Sequence, residues 1–227
     1  ISHNRMYKLI INMKTYRESL GEKAVEIAKI CKELEFKARQ YGVEIVLCPS
    51  YIDLRDVAKV GVKTYSQHID DMDFGAHTGY IVPDVIKDCG AVGTLINHSE
   101  HNLTFNYKEI ERRVDFARKA DLEICICARN HKVAKKVAKY EPDFIAVEPR
   151  ELIGGDISVS TAKPDLISNS VRAAGDVPLL TGAGVKNKHD VRRSLELGAK
   201  GILVASGVVK AKDVKSAIID LLEGFSQ

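Results

Sequence analysis

Three short polar groups stand out in this sequence because each one directly follows a short apolar run. Asn12 and Lys14 follow the first run, the tetrad Asn97-His98-Ser99-Glu100 follows the fourth, and Glu148 follows the sixth. An ammonium group can hold an anion as a point charge, an imidazole can polarise a carbonyl, and a carboxylate can remove a proton. Together these residue types could move a proton on a small anionic carbonyl compound.

Each of these residues also has a purely structural explanation that its position leaves open. Lys14 could be a solvated surface group, and Asn12 could merely break its strand. His98 could cap the following helix together with its two successors, and Glu148 could be a solvated residue at a strand end. In the functional interpretation, a helix N-terminus beneath His98 keeps the imidazole uncharged, and burial raises the pKa of Glu148 toward the range of a general base.

The segment from Pro149 to Gly155 has the composition of a lid with a hinge at each end. Closure of such a lid would expel water and bring backbone amides to the substrate. Three turns rich in small residues could then surround a phosphate group, because small residues let backbone N–H groups approach its oxygens. Taken singly, each is more often a plain turn. These turns are Gly154-Gly155, Gly182-Ala183-Gly184 and Ser206-Gly207.

The elements that must position these groups read as a series of about eight β-strands separated by amphipathic helices. Helix faces are indicated by Ala24, Ile27, Ala28 and Cys31, and by Ile110, Val114 and Ala117. The predicted strands are Leu9-Ile11, Glu44-Leu47, Val62-Tyr65, Val92-Ile96, Glu123-Ile126, Phe144-Val147, Pro178-Leu180 and Gly201-Val204.

This alternation predicts an α/β protein with a single-domain (β/α)8 barrel, extending from Met6 to the end of the sequence at 227. An open doubly wound sheet is less well matched, because its nucleotide-binding form has a glycine-rich turn after the first strand, where this chain has Asn12-Met13-Lys14. In a barrel, catalytic groups lie on the loops that follow the strands. The polar residues noted above, with Gln67 and His68 after the third strand, all occupy such loops.

Composition argues against several other classes of protein. The 34 Lys and Arg residues nearly balance 31 Asp and Glu, and the formal charge of +3 gives no reason to expect a nucleic-acid partner. The spacing of the five cysteines fits neither a zinc site nor a disulfide framework, so we expect buried, reduced thiols and no metal. The cysteines are Cys31, Cys48, Cys89, Cys125 and Cys127.

No apolar stretch approaches the ~20 residues that a membrane span needs, and no secretory signal precedes the first strand. With reduced thiols, this predicts a cytoplasmic protein without a membrane partner. The residues Ile1 to Arg5, including His3, are interpreted as a cloning remnant or a disordered N-terminus.

From Met6 onward the sequence resembles the triosephosphate isomerase family, and particularly its shorter archaeal form. The catalytic motifs match: Asn12-Met13-Lys14 resembles Asn-x-Lys, Asn97-Glu100 contains His-Ser-Glu, and Val147-Glu148-Pro149 resembles the start of the lid. Further matching positions are Ile153-Gly154 at the phosphate end of the lid, Gly184, Ala205-Ser206, and the interface-like segment Gly75-Ala76-His77-Thr78-Gly79.

The resemblance implies a TIM-type barrel that interconverts dihydroxyacetone phosphate and D-glyceraldehyde 3-phosphate through an enediolate, in glycolysis and gluconeogenesis, without a cofactor. The family's roles make Glu148 the base and His98 the electrophile, with Lys14 and Asn12 supporting the anionic substrate. Phosphate-binding positions would include Ile153, Gly154, Gly184, Ala205 and Ser206, and supporting positions would be Ser99, Glu100 and Thr78.

The resemblance to the short form also implies a homotetramer, although a dimer would explain the third-loop segment equally well. Thr78 would then reach a neighbour's site. The chain departs from the longer form at three places: His101-Asn102 replaces a frequent arginine pair, Gly184 replaces serine, and Ala205-Ser206 replaces two glycines. These departures affect the expected contacts with the phosphate and the residues that support the site.

Two other functions fit parts of the pattern. An aldolase-like barrel would form a Schiff base through a desolvated lysine, and Lys14 is the candidate. A phosphate-binding barrel without catalysis would retain the anion site but lack the base or the electrophile. Because Glu148 and His98 are both present, the sequence favours the isomerase.

Overall fold

A computed structural model describes residues 6–102, 105–149 and 152–226. Ile1 to Arg5 lie outside this range, and so do Arg150 and Glu151 of the expected lid. The domain assignment for the first five residues therefore stays a prediction. In the described part of the chain, no helix is both long enough and apolar enough to cross a membrane.

Eight parallel strands close into a barrel in which each strand pairs with its neighbours in sequence, and β8 returns to β1. This confirms the predicted fold, and every predicted strand overlaps an observed one. The strands are β1 Tyr7–Asn12, β2 Val43–Cys48, β3 Lys63–Ser66, β4 Gly93–Ile96, β5 Glu123–Ala128, β6 Phe144–Val147, β7 Leu179–Gly182 and β8 Gly201–Val204.

Helices follow or precede each strand and form the outer layer. The two predicted apolar helix faces are buried on α1 and α4. The described helices are α1 Glu22–Gln40, α2 Leu54–Lys59, α3 Pro83–Asp88, α4 Tyr107–Lys119, α5 His131–Val137, α6 Val159–Ala162, α7 Pro164–Ala174, α8 Lys188–Glu196, α9 Ser206–Val209 and α10 Val214–Glu223.

The core has two layers because successive strand residues point to opposite faces. Inside the barrel, Ile10, Val46, Tyr65 and Leu95 pack with other inward residues, whereas neighbours such as Ile11 pack beneath the helices. Cys125 and Cys127 of β5 lie in this inner layer with Cys48. Burial raises the pKa of all three inner thiols. They are thus protonated structural groups.

Residues at the starts of β1, β2, β3 and β5 carry a ladder of charges across the bottom of the barrel. Glu44 Oε1 lies 2.6 Å from Lys8 Nζ and 3.0 Å from Lys63 Nζ, and Lys63 also contacts Glu123 at 2.8 Å. Lys8 is buried, and Glu44 supplies its counter-charge. Burial alone would raise the pKa of Glu44, but hydrogen bonds and charge from the two lysines lower it overall. This ladder stabilises the end of the barrel opposite the polar loops.

Glu44→Gln should reduce the free energy of unfolding at neutral pH by about 2 kcal/mol, because it leaves a buried lysine without its counter-charge. The lowered pKa of Glu44 means that its stabilisation is present above the unfolded pKa and is lost as pH falls through the folded value. The variant should lack this part of the acid sensitivity. Urea unfolding of both proteins between pH 7 and pH 3 measures the difference. A constant gap across that range would contradict the role of Glu44.

Candidate active site

Lys14 is held in an unusual backbone conformation at the end of β1. Its φ is +48°, a left-handed value that is rare for a residue with a side chain. Asn12 Oδ1 accepts a hydrogen bond from the Lys14 N–H at 3.1 Å, and Gln67 Nε2 donates to the Lys14 carbonyl at 3.0 Å. These bonds direct the ammonium group to Glu100, whose Oε2 lies 3.0 Å away. Two side chains from other parts of the chain therefore fix the position of this cation.

His98 both caps a short helical turn and points into the barrel mouth, so the two interpretations left open by the sequence coexist. Its Nδ1 accepts a hydrogen bond from the Glu100 N–H at 3.1 Å, at the start of the 3-10 turn Ser99–His101. An accepting Nδ1 carries no proton, so the neutral ring carries its proton on Nε2. That Nε2 faces Glu148 Oε1 at 3.3 Å, with an angle outside hydrogen-bond geometry.

Glu148 follows β6, and its backbone N–H donates to the Ala128 carbonyl at 2.9 Å. The residue is only 8% exposed, so this carboxylate is not the solvated strand-end group of the alternative interpretation. Its side chain passes directly over Gly182 of β7, where a Cβ atom would lie 2.3 Å from Glu148 Cγ. The missing side chain at position 182 therefore creates the space that the carboxylate occupies.

The electrostatics of His98 differ from the sequence-based expectation. Burial lowers the pKa of the ring, but the nearby Glu148 carboxylate, assisted by the charge of Glu100, raises it more, and the net pKa is raised. The helix N-terminus that the sequence suggests beneath the ring does not account for this direction of the pKa, whereas the facing carboxylate of Glu148 does. Protonation would nevertheless cost the hydrogen bond that Nδ1 accepts from Glu100.

Gly182→Ala should lower kcat by about 100-fold, because the added methyl group displaces the Glu148 carboxylate by roughly 1 Å. Substrate affinity should change much less. Thr181→Val is a matched control, since Thr181 is buried in the same strand and its hydroxyl has no hydrogen-bond partner among the described residues. Steady-state kinetics and thermal unfolding of both variants check the prediction. Equal kcat values for Gly182→Ala and the control would show that the reaction does not depend on the present position of the Glu148 carboxylate.

The predicted phosphate loops converge on one narrow hollow. Gly184 has φ +70°, and a Cβ there would lie 2.2 Å from the Ile157 carbonyl oxygen, so only glycine fits between these loops. The amides of Ser206 and Gly207 begin α9 and lie outside its internal hydrogen-bond ladder. The hollow is lined by Asn12, Lys14, Tyr16, Glu148, Ile153, Gly154, Ala183, Gly184, Val185, Lys186, Leu203, Val204, Ala205, Ser206 and Gly207.

Two glycines of the predicted phosphate turns do not line this hollow. Gly155 does not line the hollow, and Gly182 lies beneath the Glu148 side chain. Tyr16 also lines the hollow, although the sequence analysis did not predict it as a site residue. The centre of its ring lies 5.8 Å from Lys14 Nζ and 4.6 Å from Lys210 Nζ. Its only sequence signal was its place two residues after Lys14. A buried strand end followed by an aromatic residue is too common to predict such a contact.

Of the residues expected to support the site, Ser99 lines a cavity together with Glu148, whereas Thr78 lies on an exposed loop. Ser99 and Glu148 both line a cavity of about 150 Å³. Asn97, which also lines it, has φ +68° and donates from Nδ2 to the Cys127 carbonyl at 3.0 Å. Thr78 lies in an exposed loop on the surface of this chain.

Another hollow, of about 350 Å³, opens beside the narrow hollow between the phosphate loops and has room for a small substrate. Asn12 and Lys14 line both hollows, while His98 lines the larger one and Glu148 the narrower one. The amine, the imidazole and the carboxylate thus meet at one end of the barrel. Among the described residues, no group of three or more His, Cys, Asp or Glu side chains could hold a metal ion. The arrangement suits proton transfer beside an anion site.

Comparison with known proteins agrees with this geometry. Residues 7–222 match the sequence model of the family described as triosephosphate isomerase. The triosephosphate isomerase of Methanocaldococcus jannaschii is 44% identical over 220 residues, which cover 95% of this chain and 98% of that protein. The triosephosphate isomerase of Archaeoglobus fulgidus is 42% identical, with 96% of this chain and 98% of that protein covered. The family match and these identities show that the chain belongs to the triosephosphate isomerase family.

Proposed function

We propose that this chain interconverts dihydroxyacetone phosphate and D-glyceraldehyde 3-phosphate by proton transfer through an enediolate. The observation that carries the proposal is the buried pair of His98 Nε2 and Glu148 Oε1, 3.3 Å apart, beside an anion site that contains Lys14. Both residues are less than a tenth exposed, so a substrate held at this pair would be shielded from water.

In the forward direction, the Glu148 carboxylate removes a proton from the carbon next to the substrate carbonyl. His98 donates a hydrogen bond from Nε2 to the carbonyl oxygen, on which negative charge develops. The same ring then moves protons between the two oxygens of the intermediate, and Glu148 returns its proton to the neighbouring carbon. A substrate oxygen between His98 and Glu148 would separate the two groups and so weaken the largest influence that raises the pKa of the ring.

Lys14 supports this reaction by electrostatic attraction. Its ammonium group lies where both the substrate phosphate and the developing oxyanion would be close, and Asn12 holds its backbone in place. The amides of the loops after β7 and β8 would bind the phosphate, with Ile153 and Gly154 contributing from the lid. Closure of the segment from Pro149 to Gly154 would complete this site.

The Schiff-base alternative is disfavoured by the surroundings of Lys14. The amine would have to leave its ion pair with Glu100, at 3.0 Å, before it could attack a carbonyl. The position after β6 offers a carboxylate in place of a second amine. The non-catalytic alternative predicts a missing base or electrophile, but both are present and face each other.

An assay of the purified protein separates these functions. Conversion of D-glyceraldehyde 3-phosphate should be detected by coupling product formation to a dehydrogenase that reduces dihydroxyacetone phosphate. Borohydride added with dihydroxyacetone phosphate should leave the protein mass unchanged. A covalent adduct on Lys14 would support the aldolase-like reaction, and binding without turnover would support the phosphate-binding barrel.

The proposed assembly is a cytoplasmic homotetramer in which Thr78 of one copy reaches the site of another. Large apolar side chains flank this threonine on an exposed loop, with Phe74 67% and Tyr80 58% exposed on the single chain. Such side chains at a surface are typical of an interface. Sedimentation should give a mass four times that of the 25.1 kDa chain. A monomer at micromolar concentration would contradict the proposal for Thr78.

A further inference from the structure

Two histidines outside the catalytic set form a stacked pair beside the barrel mouth. The ring centroids of His68 and His101 are 3.9 Å apart, and the ring planes differ by 15°. His68 follows β3, and His101 occupies the position where the longer family members frequently carry an arginine. Neither residue has a role in the proton transfer described above, so their contact calls for another explanation.

The stack is attached to neighbouring elements through His68. Its Nε2 lies 2.9 Å from Asp70 Oδ1, and the other oxygen of Asp70 accepts the Ile81 N–H at 2.8 Å. From α4, Arg113 donates to the Ile69 carbonyl and lies 3.9 Å from Glu109. The half-buried His68 is therefore fixed, whereas His101 is exposed on its outer face.

His101 is the last residue of the 3-10 turn that contains Glu100. The turn is fastened at its start by the hydrogen bond between His98 Nδ1 and the Glu100 N–H, and at its end by the stack on His68. Glu100 lies between these two attachments and contacts Lys14. Because the Glu100 side chain is 50% exposed, its ion pair is weak unless the backbone is already in place.

We propose that His101 is a positioning residue, which holds Glu100 against Lys14 through its stack on His68. The inference rests on the proposed function, because Lys14 is the cation that the substrate would meet. The stack supplies at one end of the turn the rigidity that an exposed ion pair lacks. His101 itself does not touch the reacting atoms.

The charge on His68 bears on this stack, because a protonated His68 ring would place a positive charge 3.9 Å from the His101 ring. Burial lowers the pKa of His68, as do the charges of His101 and Arg113, while Asp70 raises it less than these lower it. The His68 ring is therefore uncharged at pH 8, and the stack carries no positive charge from it.

The test compares His101→Phe, which keeps a flat stacking ring, with His101→Ala, which removes it. His131→Ala is the matched control, because His131 begins α5 on another part of the barrel. At pH 8, His101→Ala should lower kcat/KM about tenfold, mainly through KM, because a displaced Lys14 weakens substrate and transition state alike. His101→Phe and the control should remain close to the unmodified protein.

The split between KM and kcat supplies the second readout. A loss confined to kcat would place His101 in the chemical step rather than in the positioning of Lys14, and unchanged kinetics of His101→Ala would overturn the positioning role.

Affinity for inorganic phosphate, measured by calorimetry at pH 8, requires no turnover. It should be weaker in His101→Ala and unchanged in His101→Phe and the control. If the unmodified protein binds phosphate but does not isomerise the substrate, the proposed function fails while this comparison still decides the role of His101. Equal phosphate affinities for all four proteins would overturn the inference. Thermal unfolding identifies any variant that fails to fold. If His101→Ala fails, His101→Leu, which fills the space without a flat ring, provides the decision by the same comparison.

Discussion

Glu148→Asp should lower kcat by about 10²–10⁴-fold in both directions, with little change in KM. The shorter side chain withdraws the carboxylate from the substrate carbon by roughly one C–C bond, about 1.5 Å. Proton abstraction depends steeply on that distance, whereas the phosphate contacts come from other loops. Steady-state kinetics with each substrate would measure the two parameters separately.

Glu196→Asp serves as the control for this change, because Glu196 lies on the surface and pairs only with Arg193 among the described residues. It should leave both kinetic parameters unchanged. If Glu148→Asp instead raised KM and preserved kcat, Glu148 would be a binding residue and the proposed base would have to be sought elsewhere.

His98→Gln should reduce kcat by about 10²–10⁴-fold, because an amide can donate a hydrogen bond but cannot move a proton between two oxygens at neutral pH. The replacement also removes the Nδ1 atom that accepts the Glu100 N–H, so a modest loss of stability should accompany it. Kinetic assays together with thermal unfolding separate the two effects. Retention of most of the activity would exclude His98 as the proton relay.

Glu148→Gln provides an independent check on the pairing of these groups. The facing carboxylate raises the pKa of His98, so its replacement by a neutral amide should lower that pKa. Nitrogen NMR of the imidazole would follow the titration and would also show which nitrogen carries the proton. An unchanged pKa would mean that the two side chains do not interact in solution.

The fold and the main polar groups could be predicted because both follow from local patterns. Runs of β-branched residues alternate with amphipathic stretches, and the ends of parallel strands must meet at one face of a barrel. Asn12, His98 and Glu148 are far apart in sequence, yet each lies at the end of a strand or within two residues of it. Counting strands was therefore enough to predict that they would be neighbours.

Other features depend on how loops approach each other, and no local pattern reports that. Gly182 looked like part of a phosphate turn, but its lack of a side chain is required by the path of Glu148. The stack of His68 on His101 joins two loops whose separation cannot be read from spacing alone. The raised pKa of His98 likewise arises from a carboxylate that follows another strand and outweighs the effect of burial.

The central claim is that Glu148 removes a carbon-bound proton from a substrate held between it and His98. Proton NMR of dihydroxyacetone phosphate incubated with the protein in D₂O tests this most directly, because a proton taken by the carboxylate can exchange with solvent before it returns. We predict deuterium at one carbon-bound position of the product, D-glyceraldehyde 3-phosphate, and of recovered substrate, with both signals lost in Glu148→Asp on the same timescale. Substrate that stays unlabelled and unconverted would contradict the account.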